Sequence, residues 1–205
     1  MKLLLTGFEP FGGSPVNPSE QVVRTIERQG IKDVQLQTAI LPVERAAGPA
    51  MLIRAVQNGK PDAVLCLGEA SRRAAISIER IAVNLLDYRI ADNAGQRVVD
   101  EPIVPNGPAA FFVSLPVRAM LDAVCAAGVP AELSLSAGSF LCNQVIYTLL
   151  HYVAQNDLRI PAGFIHLPPL PEQVVGKNPP VACMALETMV TGIRAAIGVL
   201  QAERK

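Results

Sequence analysis

The sequence predicts a single layered α/β domain, on three observations. Short apolar runs alternate with longer amphipathic stretches along the chain. Some of those runs are apolar throughout and close on glycine or proline, the pattern of strands buried on both faces. The 205 residues also hold no repeat and no separating linker, at a length that suits one large domain, taken as residues 1–205.

Leu3 to Thr6 is the first strand, and it ends at Gly7 in a glycine- and proline-rich loop that runs to Pro15. Asn17-Pro18-Ser19-Glu20 opens a helix, since Asn17 can cap and Pro18 at the first position gives up no needed donor. Val22, Val23 and Ile26 mark its apolar face, and Gly30 ends it. Val34 to Leu41 alternates as a strand does. A helix is expected from about Val43 to Gln57, before the turn Asn58-Gly59-Lys60-Pro61. Asp62 to Gly68 reads as a buried strand. Ile76 to Leu85 reads as another, with Glu79 and Arg80 set inside it.

Asp87 to Pro108, punctuated by Asp92-Asn93, Gly95, Pro102 and Asn106-Gly107-Pro108, is expected as a long irregular excursion, a feature that often carries function. Leu115 to Ala127 is expected as a helix, Ala131 to Leu135 as a strand, and Cys142 to Ala154 as a helix. Ala162 to Leu167 gives the last strand. Pro168 to Pro180 is expected as a loop and Val181 to about Ala202 as a final helix.

Composition narrows the function. Half of the residues are apolar and 18% are charged, below the roughly 25% of an average soluble domain. That balance excludes a disordered chain and favours a well-covered core, with surface left for a subunit interface. Lys+Arg and Asp+Glu both number 18, so a broad basic face for nucleic acid or acidic membranes is not expected. The opening, Met1 to Gly7, is too short in apolar residues for a secretion signal or a spanning helix. Four scattered cysteines without a CxxC pair, and two histidines, argue against structural zinc and a disulfide framework. A reduced, cytoplasmic protein without metal or cofactor is the expectation.

Four groups of residues could carry chemistry. Cys66, Cys125 and Cys183 read as small buried hydrophobes. Cys142 differs, because it follows the small-residue turn Ser136 to Leu141 and begins a helix. A thiol there faces unpaired amides that favour a thiolate and could stabilise an oxyanion. His151 lies too far along that helix to reach it, so a packing or surface role suits His151. His166 ends a strand, where layered α/β folds line their crevices, and is the good partner for Cys142. Glu79, a lone carboxylate in an apolar run, either orients that imidazole or pairs with an arginine other than its neighbour Arg80.

The loop Gly7-Phe8-Glu9-Pro10-Phe11-Gly12-Gly13 lacks phosphate-loop spacing. Its two phenylalanines suggest an apolar slot for a flat ligand instead. Gly68 to Arg73 follows a strand and could line the same crevice, or its charges could stand solvated. A phosphorolytic enzyme and a silent binding module remain the rival readings.

The sequence resembles the pyrrolidone-carboxylate peptidases, pyroglutamyl peptidases of type I. The matching segments are Thr6 to Gly13, Asn17-Pro18-Ser19, Gly68-Glu69-Ala70, Ile78-Glu79-Arg80, Asn84, Asp87, Arg89-Ile90, Asp92-Asn93, Ser136-Ala137-Gly138, Phe140 to Asn143, Gly163 to Pro168 and Pro171-Glu172-Gln173. They run in order through nearly the whole chain. The resemblance implies a three-layer α/β/α sandwich with a mixed, mostly parallel sheet, assembled as a homotetramer. It implies a thiol peptidase that removes an N-terminal pyroglutamyl residue through an acyl-enzyme. Cys142 would be the nucleophile, His166 the general base and then acid, and Glu79 the orienting carboxylate. The lactam would lie between Phe8 and Phe11, closed in by Phe140 and Ile90. Backbone near Glu69 and Ile90 would bind it, and Arg89 would assist at the oxyanion. Ala91 for proline, Ser71-Arg72 for small residues and Gln144 for histidine depart from the family pattern.

Overall fold

The alternating segments assemble into one six-stranded sheet with helices on both faces, in a computed structural model that describes residues 1–202. The first half of the chain forms β1 (Lys2–Phe8), α1 (Pro18–Gln29), β2 (Gln35–Leu41), α2 (Ala47–Gly59), β3 (Ala63–Glu69), β4 (Ile76–Glu79) and β5 (Ile81–Val83). The second half forms β6 (Ala110–Phe112), α3 (Val117–Ala126), β7 (Ala131–Ser134), α4 (Leu141–Gln155), β8 (Ala162–Leu167), α5 (Pro171–Val174) and α6 (Leu186–Ala202). The large sheet runs in the order β2-β1-β3-β8-β4-β7. β2, β1, β3 and β8 pair in parallel, β4 runs antiparallel to β8, and β7 runs parallel to β4. The result is the mixed, mostly parallel α/β/α sandwich that the sequence led us to expect.

Strand alternation divides the core in two. On β1, Leu3 and Leu5 face one helix layer, while Leu4 and Phe8 face the other. The first layer packs α1, α3 and α6 through Val22, Ile26, Met120, Val124, Ile193 and Ile197. The second packs α2 and α4 through Leu52, Val56, Val145 and Leu149. Each such side chain, fully buried, contributes about 1.5–3 kcal/mol. The helix starts as its residues require: Asn17 Oδ1 accepts from the Ser19 amide at 3.0 Å, with Pro18 at the first position.

Several boundaries differ from the sequence expectation, each for a tertiary reason. The run Ile76 to Leu85 is two strands. The Arg80 amide donates to Ser134 on β7, while its carbonyl accepts from Val113 next to β6, so the chain leaves the large sheet there. β5 then pairs antiparallel with β6, a strand of three residues too short to register as a periodic run. α2 begins at Ala47 rather than Val43, because the Val43 and Arg45 amides are claimed by Glu9 and Asp92. A short helix, α5, interrupts the expected loop after Pro168. The last helix starts at Leu186, so Cys183 lies before it in a loop and is exposed. Cys125, on the outer face of α3, is exposed as well, and only Cys66 of the three is buried as expected.

The excursion from Asp87 to Pro108 is irregular but closely held. Asp92 accepts from the amides of Arg45, Ala94 and Gln96, and Asn93 donates to Glu9 Oε1. Asn84 bonds both the amide and the carbonyl of Val104, which closes the base of the excursion. Among the described residues, no helix is long and apolar enough to cross a membrane.

Gly7 sets how closely α1 can approach β1. A Cβ there would lie 2.6 Å from the Ser19 carbonyl oxygen and 2.7 Å from its carbon, both backbone atoms. Gly7→Ala is expected to lower stability by about 2–3 kcal/mol, since the obstacle cannot rotate away. Gly198 in α6 meets nothing within 4 Å, so Gly198→Ala should instead stabilise by roughly 0.5–1 kcal/mol. Paired thermal melts would show opposite shifts. Equal shifts would remove the backbone clash as the cause.

Candidate active site

The site forms where alternation brings polar side chains to one face. On β8, Ile165 and Leu167 enter the first core layer, so Phe164 and His166 point to the α4 side. On β4, Ile76 and Ile78 do the same, which turns Ser77 and Glu79 toward that side. Gly68, His166 and Ser77 are register partners, so they form one row across β3, β8 and β4. Glu79 stands next in line, and its Oε1 lies 2.8 Å from His166 Nδ1.

Cys142 reaches this row from α4. The preceding turn is fixed by Gly138 at φ 79°, by the Ser139 hydroxyl donating to the Asp87 carbonyl, and by the Asp87 amide donating to Ser139. Asn143 locks the start of the helix against β5. Its side chain accepts from the Val83 amide at 2.9 Å and donates to the carbonyls of Val83 and Leu85 at 2.8 and 3.1 Å. The thiol is thereby lowered onto Gly68, where a Cβ would stand 2.9 Å from Cys142 Sγ and 2.6 Å from the Phe164 ring. Glycine is needed there to admit the sulfur beside the row that holds His166.

Burial sets the charge states. Glu79 has no exposed surface, and burial alone would raise its pKa. The hydrogen bond and charge of His166, the Ser134 hydroxyl and the Arg73 charge outweigh that and hold it below the ordinary carboxylate value. Arg73 Nη1 donates to the same Oε1 at 2.7 Å, so Glu79 meets both a histidine and an arginine. His166 is held below its ordinary pKa, chiefly by burial, against the pull of Glu79. The Cys142 thiol is pushed up to about 12, first by burial and then by the Glu79 and Glu69 charges. These surroundings oppose the thiolate that the helix start favours, and the two directions favour a thiol beside a neutral imidazole.

A narrow slot opens beside the sulfur. It spans about 220 Å³, mouth included, and is lined by Phe8, Phe11, Asn17, Val43, Glu69, Phe140, Leu141 and Cys142. The Phe11 and Phe140 rings lie 6.1 Å apart, and Tyr88 meets Phe140 edge-on at 4.6 Å. Asn17, Val43 and Leu141 did not stand out in the sequence, where each serves a cap, a turn or a helix start. Ile90 is not among the residues lining the slot; its Cδ1 lies 3.6 Å from where a side chain on Gly12, next to Phe11, would begin. Arg89 is exposed and outside the slot. Glu69 is half-buried beside it, with its carboxyl raised chiefly by burial and bonded by Gln173 Nε2 at 3.0 Å.

His151 packs, as expected, stacked on Tyr147 at 6.2 Å. A larger cavity, about 720 Å³, lies at the opposite ends of β3 and β8 among Val56, Gln57, Lys60, Pro61, Tyr152, Leu158 and Ile160. Its lining contains no thiol, imidazole or carboxylate. Among the described residues, no group of three or more His, Cys, Asp or Glu side chains could hold a metal ion.

The chain matches known proteins in sequence and in fold over nearly its whole length. The profile of the pyroglutamyl peptidase family matches residues 1–203. The pyrrolidone-carboxylate peptidase of Gloeobacter violaceus is 47% identical over 204 residues, covering 100% of this chain and 98% of its own. That of Vibrio vulnificus is 47% identical over 192 residues, covering 94% and 89%. In structure, a mutant pyrrolidone carboxyl peptidase from Pyrococcus furiosus superimposes with a TM-score of 0.95 at 40% identity, over 100% of both chains. The pyroglutamyl peptidase I of Bacillus amyloliquefaciens gives 0.91 at 35% identity, over 95% and 94%. On sequence and fold together, the chain belongs to the pyroglutamyl peptidase family.

Proposed function

We propose that the chain cleaves N-terminal pyroglutamate from peptides by acyl transfer through Cys142, His166 and Glu79. The observation that carries this reading is the Glu79–His166 hydrogen bond on the sheet face where the Cys142 sulfur rests over Gly68. His166 takes the thiol proton as Cys142 Sγ attacks the carbonyl that joins pyroglutamate to the next residue. The imidazolium then protonates the leaving amine as the C–N bond breaks, which leaves a thioester. Water, deprotonated by His166, hydrolyses that thioester and releases pyroglutamate. Glu79 holds the ring by Nδ1, so Nε2 carries the lone pair, and its charge stabilises the transient imidazolium. The Cys142 amide, which lies by its own thiol at the start of α4, is a donor suited to the oxyanion.

Phe8, Phe11 and Phe140 form the lactam slot in this reading, with Ile90 at its rim. Backbone groups near Glu69 and Ile90 take the lactam polar atoms, and Arg89 closes toward the oxyanion from outside. Pyroglutamate suits such a wall because its nitrogen is tied into an amide, whereas an ordinary N-terminal ammonium would lose its water without a partner. A single peptidase domain, a reduced cytoplasmic setting and a homotetramer complete the proposal. The four free cysteines and the exposed Phe112, Leu135 and Val175 fit with it.

Pyroglutamyl-aminomethylcoumarin should release its fluorophore, with Cys142→Ser slower by about 10³-fold or more. The matching glutaminyl substrate, with its free amine, should be nearly inert. Comparable turnover of the two substrates would remove the slot argument, and an active Cys142→Ser would remove the thiol.

The pH dependence has a definite sign. Activity needs neutral His166, whose pKa lies below its ordinary value, so the acid limb of kcat/KM should fall below about pH 6.5. With the free thiol near 12, alkylation of Cys142 by iodoacetamide should keep accelerating from pH 6 to pH 9. A rate flat across that range would mean a preformed thiolate–imidazolium pair instead.

A further inference from the structure

Arg73 is the charged group of this site that the proposed chemistry leaves without a task. It lies in the loop after β3, half-buried, with Nη1 2.7 Å from Glu79 Oε1 and Nη2 2.7 Å from the Ser136 carbonyl. One guanidinium thus joins the carboxylate that holds His166 to the turn that leads into Cys142. Glu79 is fully buried, both Arg73 and His166 meet it at Oε1, and the Ser134 hydroxyl is the remaining polar group that acts on it. A buried carboxylate needs a compensating charge. His166 does not supply one while it is neutral, which leaves Arg73 as the full positive charge in contact.

We propose that Arg73 is a positioning residue of the active site, whose guanidinium keeps Glu79 ionised beside a neutral His166 and ties that pair to the turn before Cys142. The proposal rests on the Cys142, His166 and Glu79 reading above. Without Arg73, Glu79 would satisfy its charge by favouring a proton on His166, and the base would be occupied at neutral pH. The groups facing this pair are Arg73 from the loop after β3, Ser134 from β7, and Cys142 from α4 with Glu69 beyond it. Ser77, on β4, is engaged by Glu132. Of these, Arg73 alone is cationic, and it acts to lower the pKa of Glu79, His166 and Cys142 alike. Its fork matters as well as its charge, since two separate donors reach two separate acceptors.

The test combines imidazole NMR with kinetics. The chain has just two histidines, so His151→Gln assigns the His166 resonances directly. His166 titration and the pH profile of kcat/KM are then followed in wild type, Arg73→Gln, Arg73→Ala and Arg73→Lys, with folding checked by circular dichroism. In Arg73→Gln and Arg73→Ala the His166 midpoint should rise by about one pH unit, and the acid limb should rise with it. Arg73→Lys, which keeps the charge but loses the fork, should hold the midpoint near wild type while kcat falls by roughly 10-fold, the size of a modest misplacement. Arg73→Gln can still donate to Ser136, so it decides the matter should the alanine variant fail to fold. An unmoved His166 midpoint in folded Arg73→Gln would overturn the proposal, as would a rate loss in that variant that is uniform across pH. Wild type inert toward the pyroglutamyl substrate would instead sink the functional reading, while the NMR midpoints would still report on Arg73.

Discussion

A carboxylate with no exposed surface fixes the arrangement of the whole site. Glu79 sits at the end of β4 and accepts from His166 on β8 and from Arg73 in the loop after β3. An unpaired charge in that place would cost several kcal/mol, so the fold is tolerable only with those partners present. That requirement explains why three separate segments converge on one oxygen. It also fixes where β4 must end: one residue on, Arg80 hands the chain to the small β5–β6 sheet. The antiparallel pairing of β4 with β8 belongs to the same constraint, because it brings the C-terminal end of β4 back along the strand that carries His166.

The reactive face is then a consequence of register and of missing atoms. A slip by one residue on β8 would bury His166 among α1, α3 and α6 and present Ile165 to the thiol. The neighbouring Phe164 and Leu167 fill opposite layers completely, so such a slip is heavily penalised. Gly68 supplies the space in the middle of the row, and Asn143 supplies the direction. The side chain next to the cysteine is spent on three backbone bonds to β5 and the residue beyond it, so α4 cannot rotate about its axis without breaking them.

Much of this was legible in the sequence. Strand and helix alternation gave the layers, and Cys142 and His166 stood out because each lies where an element begins or ends. What was not legible depends on neighbours distant in the chain. The break at Arg80 has no local cause; it arises from Ser134 and Val113, whose backbone groups meet it from two sheets. Arg73 stood out only as part of the Gly68 to Arg73 stretch that could line the crevice, next to an exposed Arg72 that reads the same way, so which arginine meets Glu79 was not legible. Cys183 and Cys125 sit in alanine- and valine-rich runs that resemble buried helix faces, yet one precedes its helix and the other faces outward. The surroundings of the thiol were illegible for a related reason. Proximity to a helix start is visible in sequence, whereas the burial that outweighs it is not.

In the proposed reaction, a half-buried thiol with a raised pKa and a buried imidazole with a lowered one would react through proton transfer at the moment of attack. Such a pair would suit the uncharged lactam of the proposed substrate. A standing ion pair next to Phe11 and Phe140 would attract water and peptide ammonium groups into the slot. Glu69 could in principle do the same, but its carboxyl is raised by burial, bonded by Gln173 and faced by the Lys177 charge. Gln144, next after Asn143, is a neutral amide that accepts from Tyr88 Oη at 2.6 Å and donates to the Arg45 carbonyl. Tyr88 in turn braces Phe140. On its Phe140 side the wall of the slot is therefore held by neutral hydrogen bonds, up to the second residue past Cys142. The charge of Glu79 is met within the site by Arg73, at 2.7 Å.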